Sequence, residues 1–403
     1  MPTLAETILG GAAGSYVDRE VDHAFAHDGT GVLAREAWRE MGEPPLPAPE
    51  RCSILFDHIA PANTGTTATL QAELRAFSRT CGMHFSEIGE GICHQLMSEG
   101  RVLPGDVVVG ADSHTCTMGA FGAFATGVGA TEMAAIWSSG STWFKVPETI
   151  GIVLDGRCTG AAEAKDCALE YVRRLGMDGA TYRALEFIGE GTSALSMDSR
   201  LTLANMAVET GAKAGMMYAD ATTRAYLAAY GRDIAVQRPE NPGYVQELTI
   251  DCTDLVPLIT PPHRVDRAVP VERYESTPLD QVFVGTCTNG RFEDLLRFGR
   301  IVKDKRVKAR TIVVPASRPV LERCIETGVL SWIVGAGCSV GVPGCGPCLG
   351  AHMGVLGEGE TALSTANRNF KNRMGVGAEY YLASPATAAA SALAGAIAVP
   401  EVP

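Results

Sequence analysis

The stretch "VFVGTCTNGRFEDL", residues 282–295, begins as an apolar run, breaks at a glycine and continues into a pattern typical of a helix. A buried strand that runs through a glycine loop into a helix is the repeating unit of α/β proteins. Loop residues directly after such a strand lie at the carboxyl edge of the sheet, where α/β proteins bind ligands. Cys287 occupies this position. The stretch therefore predicts an α/β fold and a candidate ligand site.

The same alternation of strands and helices extends along most of the chain. Further strands are predicted within "DVVVGADSHT" (106–115), "TIGIVLDGRC" (149–158), "ARTIVVPAS" (309–317) and "WIVGAGCSV" (332–340). Helices are predicted around 129–140, 161–175, 200–211, 291–303 and 318–327. The pattern indicates α/β layers with sites at the strand ends.

A chain of 403 residues is too long for one hydrophobic core to grow comfortably, so several domains are expected. The proline-rich exit of "YVQELTIDCTDLVPLITPPHRV" (244–265) indicates a boundary near residue 270. We predict three α/β domains, at 1–148, 149–270 and 271–403. The first carries the Asp-His and Asp-Ser-His loops, and the third carries the paired cysteines.

The charge balance and the terminal segments exclude several classes of protein. With 34 Lys and Arg against 46 Asp and Glu, the formal charge is -12, which argues against nucleic acid as a partner. The N-terminus lacks the cationic start of a secretory signal. The tract "ATAAASALAGAIAVP" (386–400) is too short and too alanine-rich to cross a membrane, and is predicted to be a buried helix. These features predict a cytoplasmic protein without membrane or nucleic-acid partners.

Twelve cysteines without an export signal indicate reduced thiols, so metal binding or catalysis competes with disulfides. Cys345 and Cys348 form a C-x-x-C pair in "PGCGPCLG" (343–350). No second pair follows, as a structural zinc site would need, and the pair lies in a loop rather than at a helix start, as a thioredoxin-like motif would need. Together with Cys287 they suit a [4Fe-4S] cluster with one iron open to water or substrate.

The remaining cysteines leave one alternative open. Cys338 lies in an apolar run near the pair and could supply a fourth ligand, which would make a closed electron-transfer cluster. Free cysteine is often simply buried, so core packing is the expected role of Cys338. The other eight show no paired spacing and are interpreted as core residues: Cys52, Cys81, Cys93, Cys116, Cys158, Cys167, Cys252 and Cys324.

Four segments resemble, in order and wording, the aconitase superfamily. They are "VGADSHTCTMGAFGAFATGVGATEMA" (109–134), "VFVGTCTNGR" (282–291), "PGCGPCLG" (343–350) and "NRNFKNRMG" (367–375). The similarity extends from residue 3 to residue 392 and is strongest to the large subunits of 3-isopropylmalate dehydratase and homoaconitase.

The resemblance implies a three-domain aconitase-like α/β/α fold around one [4Fe-4S] cluster per chain, with one iron not ligated by cysteine. The implied ligands are Cys287, Cys345 and Cys348. It also implies a hydro-lyase that moves the hydroxyl of a 2-hydroxy diacid by dehydration and rehydration. Relatives of this length lack the swivelling fourth domain, which is a separate small subunit that carries the catalytic serine. The chain is therefore expected to act in a heterodimer or heterotetramer on a small anionic substrate.

"FDHIAPA" supplies Asp57 and His58, in which an adjacent carboxylate keeps the imidazole protonated and so suits it to donate a proton. The resemblance implies the same role. It adds the catalytic candidates His94, Asp112, His114 and Glu209. From the residues alone, "GADSHT" could equally be an Asx-turn whose polar side chains bond the local backbone.

The resemblance also implies residues that bind substrate and residues that support the cluster. Arginine grips a carboxylate with two parallel hydrogen bonds, which suits Arg368 and Arg373 to a dianionic substrate. The other candidates for substrate binding are His27, Ser113 and Asn205. Asn205 and Glu209 are four residues apart and are predicted to share a helical face, which in other proteins is often only an exposed polar pair. Asn289 and Arg291 are expected to orient the cluster loop through indirect contacts.

Four glycines near the cysteines are interpreted as positions where the backbone approaches the cluster. They are Gly285, Gly344, Gly346 and Gly350. A phosphate-binding loop is the competing interpretation, but neither G-x-x-x-x-G-K-[ST] nor G-x-G-x-x-G occurs in that loop.

The resemblance favours 3-isopropylmalate dehydratase, which converts 2-isopropylmalate to 3-isopropylmalate in leucine biosynthesis. Homoaconitase, or another hydroxy-diacid dehydratase such as dimethylmalate dehydratase, is the alternative within the same chemistry. An RNA-binding protein that has lost its cluster is the alternative from a different class, and the acidic charge argues against it.

Overall fold

The structure is a computed structural model that describes residues 1–237 and 242–401. Residues 238–241 and 402–403, which fall inside two of the predicted domains, lie outside the described residues. Backbone hydrogen bonds form one sheet of two strands and larger sheets of five, four and seven strands. The three larger sheets follow one another along the chain, as the predicted α/β alternation requires.

The first part of the chain forms a parallel five-stranded sheet in the order β4-β3-β2-β5-β6. Strands β1 and β7 pair antiparallel beside it. The elements are α1 (Leu4–Leu9), β1 (Tyr16–Glu20), β2 (His23–His27), α2 (Thr30–Glu40), β3 (Cys52–Leu55), α3 (Gly65–Cys81), β4 (His84–Ser86), α4 (Cys93–Ser98), β5 (Val107–Gly110), β6 (Phe124–Gly127), α5 (Ala130–Ser139) and β7 (Ser141–Lys145).

The middle part forms a parallel four-stranded sheet in the order β10-β9-β8-β11. Because its inner strands are buried between layers, they are nearly continuous apolar runs. The elements are β8 (Thr149–Asp155), α6 (Ala164–Leu175), β9 (Ala184–Ile188), α7 (Glu190–Ala194), α8 (Met197–Met206), β10 (Ala214–Met217), α9 (Ala221–Ala228) and β11 (Gln246–Asp251).

The last part forms a seven-stranded mixed sheet in the order β13-β12-β18-β17-β14-β15-β16. Its strands from β18 to β16 are parallel, and β12 and β13 add an antiparallel edge. The elements are β12 (Leu258–Thr260), β13 (Val269–Pro270), β14 (Gln281–Val284), α10 (Thr286–Asn289), α11 (Phe292–Val302), β15 (Arg310–Val313), α12 (Arg318–Glu326), α13 (Val329–Gly335), β16 (Ser339–Val340), β17 (Thr361–Ser364), β18 (Glu379–Ala383) and α14 (Pro385–Ala394).

Most of the elements predicted from the sequence are present, and one assignment is wrong. The run 332–340 was predicted as a buried strand, but its first half lies in α13 and only Ser339–Val340 form a strand. The buried residues of this segment, Val329, Ile333 and Ala336, recur at helical spacing, while Val334 is exposed. A short run that is apolar on both faces of the helix cannot be distinguished from a strand by periodicity alone.

The cysteine-bearing segment and the two preceding units share one core. Phe25 from β2, Ile152 from β8 and Phe283 from β14 belong to the same buried apolar cluster. Strands β12 and β13, which end at or before residue 270, pair within the third sheet. The domain boundaries near 148 and 270 remain predictions.

The alanine-rich tract near the C-terminus forms the buried helix α14, as predicted. Ser384 caps it by accepting a hydrogen bond from the Thr387 N–H, and Pro385 occupies its first turn, where its missing N–H is not needed. Within the described part of the chain, no helix has both the length and the apolar character needed to cross a membrane.

Candidate active site

The candidate site lies where the loops of the first sheet meet those of the third. The Cys345 N–H donates to the Asp57 carbonyl oxygen at 2.8 Å. The Ile92 N–H donates to the Ala316 carbonyl oxygen, also at 2.8 Å. The first hydrogen bond holds the Asp-His loop directly against the C-x-x-C loop, so two segments almost 290 residues apart form one surface. The second joins the segment before α4 to the segment after β15.

The polar residues of the first sheet gather at one edge because its strands are parallel. His27 ends β2, Asp57 and His58 follow β3, and Asp112 follows β5. The order of the sheet places β2 between β3 and β5. The carboxyl ends of three neighbouring strands thus supply the acidic and imidazole side chains.

Asp57 and His58 form a buried ion pair, with 2.7 Å between Oδ1 and Nδ1. The other carboxylate oxygen of Asp57 accepts the Cys93 N–H at 2.6 Å. Burial acts to raise the pKa of Asp57, but the charge of His58 and these hydrogen bonds lower it below its ordinary value. Burial acts to lower the pKa of His58, but Asp57 and Asp112 raise it well above its ordinary value. The imidazole is therefore held protonated.

Asp112 is the centre of the imidazole network. Its Oδ1 lies 2.9 Å from His94 Nε2 and accepts the His114 N–H at 2.7 Å, and its Oδ2 lies 3.5 Å from His58 Nε2. Burial acts against its ionisation, but His94, His114 and His58 hold the pKa of Asp112 well below its ordinary value. The Asp-Ser-His sequence does make the local side-chain turn that the residues alone left open, and the same carboxylate also binds distant imidazoles.

The pKa values of His94 and His27 are shifted in opposite directions, although burial acts to lower both. Burial acts to lower the pKa of His94, but the charges of Cys287 and Asp112 raise it to about 10. Burial and the nearby charge of His58 lower the pKa of His27 to about 4. The ring of His27 is stacked on that of His58, with 3.7 Å between the centroids. The neutral imidazole of His27 thus packs against the charged imidazole of His58.

Glu209 links the imidazole network to an arginine. Its Oε1 lies 2.9 Å from His114 Nε2 and 2.8 Å from Arg368 Nε. Burial acts to raise the pKa of Glu209, but hydrogen bonding and charge from His114 and Arg368 lower it. Arg368 Nη1 also donates to Ser113 Oγ at 2.9 Å. The guanidinium is fixed in orientation by partners from two other parts of the chain.

Asn205 and Glu209 lie in two successive helical elements, so the prediction that one helix spans residues 200–211 is wrong. Helix α8 ends at Met206, and Glu209 lies in the following 3₁₀ turn, residues 207–210. A change from α to 3₁₀ geometry alters the angle between successive side chains. Asn205 Nδ2 consequently donates to Cys287 Sγ at 3.2 Å, while Glu209 contacts Arg368.

The three predicted cysteines are buried at 3–4% exposure and share polar neighbours. Asn367 Nδ2 donates to Cys287 Sγ at 3.5 Å, and Asn367 Oδ1 lies 3.9 Å from Cys348 Sγ. Burial acts to raise the pKa of Cys287, but the charge and hydrogen bond of His94 lower it to about 7. A hydrogen bond with the Cys345 thiol, and the charge of Arg373, lower the pKa of Cys348 well below its ordinary value.

These thiols lie too far apart to bind one metal ion together. Among the described residues, the groups of three or more ligating side chains whose ligand atoms all lie within 4.8 Å do not include Cys287, Cys345 or Cys348. A single tetrahedral ion with metal–sulfur bonds near 2.3 Å would need sulfurs only about 3.8 Å apart. At least two of the three sulfurs are therefore farther apart than the ligands of one tetrahedral ion.

Arg373 and Arg291 contact the cysteines differently. Arg373 Nη2 lies 3.8 Å from Cys348 Sγ, and its buried Nε has no hydrogen-bond partner among the described residues. Arg291 is fully buried and its guanidinium donates to the carbonyl oxygens of Cys287 and Thr288. Arg373 thus has a free donor at the site, while Arg291 fixes the backbone of the Cys287 loop. Asn289 Nδ2 donates to Asp294 at 2.9 Å, and among the described residues no hydrogen bond joins Asn289 to a cysteine sulfur.

Two contributors were missed by the sequence analysis. Asp28 accepts the His58 and Ile59 N–H groups at 2.9 and 2.8 Å and so fixes the Asp-His loop. Asn367 bridges Cys287 and Cys348. Each directly adjoins a predicted residue, Asp28 after His27 and Asn367 before Arg368, and adjacency was the available signal.

The glycines of the cysteine loops are required by protein packing. A Cβ on Gly344 would lie 2.8 Å from the Asp57 carbonyl oxygen, and one on Gly350 would lie 2.3 Å from the Arg373 carbonyl oxygen. Gly350 also has a φ of +65°, which other residues rarely adopt. Gly285 and Gly346 similarly face Val314. These contacts let the two loops pack together, and the approach of the same glycines to a cluster stays a prediction.

Cys338 lies away from the site. It belongs to the apolar cluster beneath the third sheet, together with Cys324 and Ile333, whereas the three cysteines of the site belong to a different cluster. Burial raises the pKa of the Cys338 thiol to about 12. Its surroundings agree with the expected packing role.

Comparisons with known proteins identify relatives of this chain. The profile of the aconitase family, described as "Aconitase family (aconitate hydratase)", matches residues 6–395. A probable methanogen homoaconitase large subunit from Methanosarcina mazei is 51% identical over 388 residues, covering 95% of this chain and 99% of that protein. A 3-isopropylmalate dehydratase large subunit from Thermotoga maritima is 47% identical over 397 residues, covering 96% and 95%.

A solved structure supports the fold. The holo-form of aconitase X from Thermococcus kodakaraensis superimposes with a TM-score of 0.52 at 13% sequence identity, covering 87% of this chain and 84% of that one. At this identity the likeness concerns the fold alone.

Proposed function

The chain belongs to the aconitase family, and from that premise we propose that it is the large, cluster-binding subunit of a hydro-lyase that isomerises a 2-hydroxy diacid. The proposal rests on one observation, which is that two sets of chemically reactive side chains lie on one surface. One set comprises buried thiols with lowered pKa values, and the other comprises a protonated imidazole with its carboxylate. Dehydration of a hydroxy acid needs both an electrophile and a proton donor.

The family implies a [4Fe-4S] cluster, and Cys287, Cys345 and Cys348 would hold it. The donor set fits, because cysteine thiolates are the usual ligands of such clusters and these sulfurs are spread beyond the reach of one ion. The buried, unpartnered Nε of Arg373 supplies a positive group beside the thiols. When bound, the cluster supplies a Lewis-acidic iron that polarises the substrate hydroxyl and carboxylate.

His58 is the proposed proton donor to the departing hydroxyl. Asp57 and Asp112 hold its imidazole charged and oriented, and Asp28 fixes the backbone on which it stands. A general acid must retain its proton until the leaving group needs it, which the raised pKa of His58 ensures at neutral pH. His94 and His114 extend the same network around Asp112.

Arg368 and Arg373 are the proposed substrate-carboxylate ligands. Arg368 is already fixed by Glu209 and Ser113, so little rotational freedom is lost when it binds a carboxylate. Arg373 offers a buried nitrogen without a protein partner. Two guanidinium groups at one site let a chain of formal charge -12 bind a dianion.

The catalytic base is proposed to come from the small subunit. Relatives of this chain are named large subunits, and the chain covers them almost completely, so a partner is implied. Val342 and Leu349, which flank the C-x-x-C pair, are 40% and 38% exposed, and such apolar residues beside an active site support a covered surface. We expect a heterodimer or heterotetramer in the cytoplasm.

We propose 2-isopropylmalate as the substrate, and homocitrate as the second candidate because the Methanosarcina relative at 51% identity is named a homoaconitase subunit. The test is an assay of the large subunit, reconstituted without oxygen and combined with its small subunit, on both acids. Turnover of 2-isopropylmalate is expected. Turnover of homocitrate alone would replace the substrate, and inactivity of a fully iron-loaded complex on every hydroxy diacid would overturn the hydro-lyase proposal.

A further inference from the structure

Three cysteines outside the candidate active site lie close together in the middle part of the chain. Cys158 follows β8, Cys252 directly follows β11, and Cys167 lies in the first turn of α6. Strands β8 and β11 are parallel neighbours, so their carboxyl ends bring the first two together. The Cys158 and Cys167 sulfurs are 3.2 Å apart, and those of Cys167 and Cys252 are 3.7 Å apart.

The spacing of this group differs from that of the cysteines at the active site. All three sulfurs lie within 4.8 Å of one another. A tetrahedral ion with metal–sulfur bonds near 2.3 Å places its sulfur ligands about 3.8 Å apart. The observed separations are close to that value, so the group matches the ligand shell of a single ion. The interpretation of these residues as separate core cysteines does not account for their convergence from three elements.

The chemistry of the donors selects the kind of ion. The group contains three sulfurs and, within the same 4.8 Å limit among the described residues, no carboxylate or imidazole ligand. Soft thiolate ligands select closed-shell thiophilic ions such as Zn²⁺ and Cu⁺ over Mg²⁺, Ca²⁺ or Mn²⁺. The carboxylate of Asp166, which directly precedes Cys167 in α6, accepts the Leu258 and Glu163 N–H groups at 2.7 and 2.8 Å and is therefore already engaged.

The site is reachable from solvent on one side. Cys167 and Cys252 are buried, whereas Cys158 is half-buried and lines a cavity of about 240 Å³. Glu163 and Lys165 line the same cavity. A cavity of this size admits the ion and water, and water is the usual fourth ligand where a protein provides three donors to zinc.

We propose that Cys158, Cys167 and Cys252 form a second, mononuclear site for a thiophilic ion of the Zn²⁺ class. The ion would tie the ends of β8 and β11 to the start of α6. Its role is structural, because it joins three elements of the middle part of the chain, and among the described residues no acidic or basic side chain forms a hydrogen bond with the three sulfurs. The proposal is independent of the proposed hydro-lyase function.

The competing chemistry is a disulfide between two of the three cysteines, formed by transfer of two electrons and release of two protons to an oxidant such as glutathione disulfide or oxygen. It would leave one thiol without a role. A metal ion uses all three sulfurs, and the mutual approach of all three is what the geometry explains.

The test uses the iron-loaded protein purified without oxygen, with zinc and iron counted in the same sample. We expect about one zinc per chain in addition to the iron. Titration of metal-stripped protein with Cd²⁺ alone should produce a thiolate-to-metal charge-transfer band in the ultraviolet. Cys252→Ser and Cys158→Ala should each lose the zinc and keep the iron, while Cys324→Ala, which removes another buried cysteine, should keep both.

The two variants protect the test against a folding defect. Cys158 is only half-buried, so Cys158→Ala should fold even if Cys252→Ser does not. Zinc that persists in a folded Cys158→Ala protein, or that varies inversely with iron and so occupies the active-site cysteines, would overturn the proposal. A wild-type protein that binds neither Zn²⁺ nor Cd²⁺ at these cysteines would also overturn it. So would a protein in which two of the three thiols form a disulfide although Zn²⁺ is in excess.

Discussion

The chain carries two groups of three cysteines, and they differ in sulfur spacing and in surroundings. At the candidate active site, the sulfurs of Cys287, Cys345 and Cys348, called here the spread group, do not all lie within 4.8 Å of one another. They are surrounded by imidazoles, carboxylates, amides and guanidinium groups. Beside the middle sheet, Cys158, Cys167 and Cys252, called here the compact group, lie close together and form hydrogen bonds mainly with one another. Spacing sets how many metal ions a thiol group can hold, and neighbouring acids and bases decide whether it can support a reaction.

The largest effect is expected from removing one ligand of the spread group. Cys345→Ala should lose the cluster and reduce activity by about 10³-fold or more, because the electrophile that stabilises the transition state is gone. Zinc bound to the compact group should remain. Iron content, zinc content and turnover measure the three quantities.

Cys338→Ala is the matched control for that variant, since it removes a buried cysteine from a different apolar cluster. It should retain iron and activity. Loss of the cluster from Cys338→Ala would make that residue a fourth ligand and would support the closed electron-transfer alternative.

The second effect concerns the reactive surroundings of the spread group. Asp57→Asn should lower kcat by about 10²-fold to 10³-fold, because His58 loses the carboxylate that orients and charges it. Iron content should be unchanged. Turnover close to the wild-type rate, at equal iron loading, would remove His58 and Asp57 from the proposed chemistry.

A third effect tests the stability of the sheet that carries the compact group. Arg200 is fully buried and pairs with Asp220, with 2.6 Å between Nη2 and Oδ2. Asp220→Asn should reduce the free energy of unfolding by about 2 kcal/mol, because the buried Arg200 guanidinium loses its charged partner. The loss is moderate because Asp220 itself is partly exposed. Thermal or denaturant unfolding measures this loss, and Asp233→Asn at a surface pair is the control.

The same ion pair predicts how stability depends on pH. Burial acts to raise the pKa of Asp220, but hydrogen bonding and charge from Arg200 lower it below its ordinary value. An acid with a lowered folded-state pKa contributes stability above its unfolded pKa, near 3.8, and loses it as the pH falls through the folded value. The difference in unfolding free energy between wild type and Asp220→Asn should therefore shrink on acidification. A difference that stays constant down to pH about 2 would contradict this account.

The smallest effect concerns substrate binding beside the spread group. Arg368→Lys keeps the charge but loses the planar fork that contacts Glu209 and Ser113, so kcat/KM should fall by about tenfold, mainly through KM. Arg297→Lys, at a pair with Glu163 outside the site, is the control. An unchanged KM would show that Arg368 supports the fold rather than the substrate.

The fold could be predicted where its signals are local. The strand, glycine and helix pattern of 282–295 and the alanine-rich tract of α14 are present in the structure as expected. The segment 332–340 was assigned wrongly because its apolar residues cover both faces of α13, so neither helical nor strand periodicity was visible. Whether this segment forms a helix or a strand depends on how it packs against the neighbouring layers, which only the folded structure shows.

The candidate site was predictable where motifs name its residues, and less so where contacts are distant in sequence. Asp57, His58 and the C-x-x-C pair stand in recognisable patterns, and the structure brings them together. Asp28 and Asn367 act through contacts that no spacing reveals. The compact cysteines were missed for the same reason, because Cys252 is 85 residues from Cys167 in the chain.

The central claim is that the spread cysteines hold a four-iron cluster with one iron available to the substrate. The most direct test is Mössbauer spectroscopy of the anaerobically loaded complex, recorded with and without 2-isopropylmalate or homocitrate. The account predicts about four irons per chain, lost in Cys345→Ala, with the signal of one iron changed by the substrate. A fully loaded cluster whose spectrum is unchanged by any active substrate, or whose fourth iron is bound by another cysteine of this chain, would contradict it.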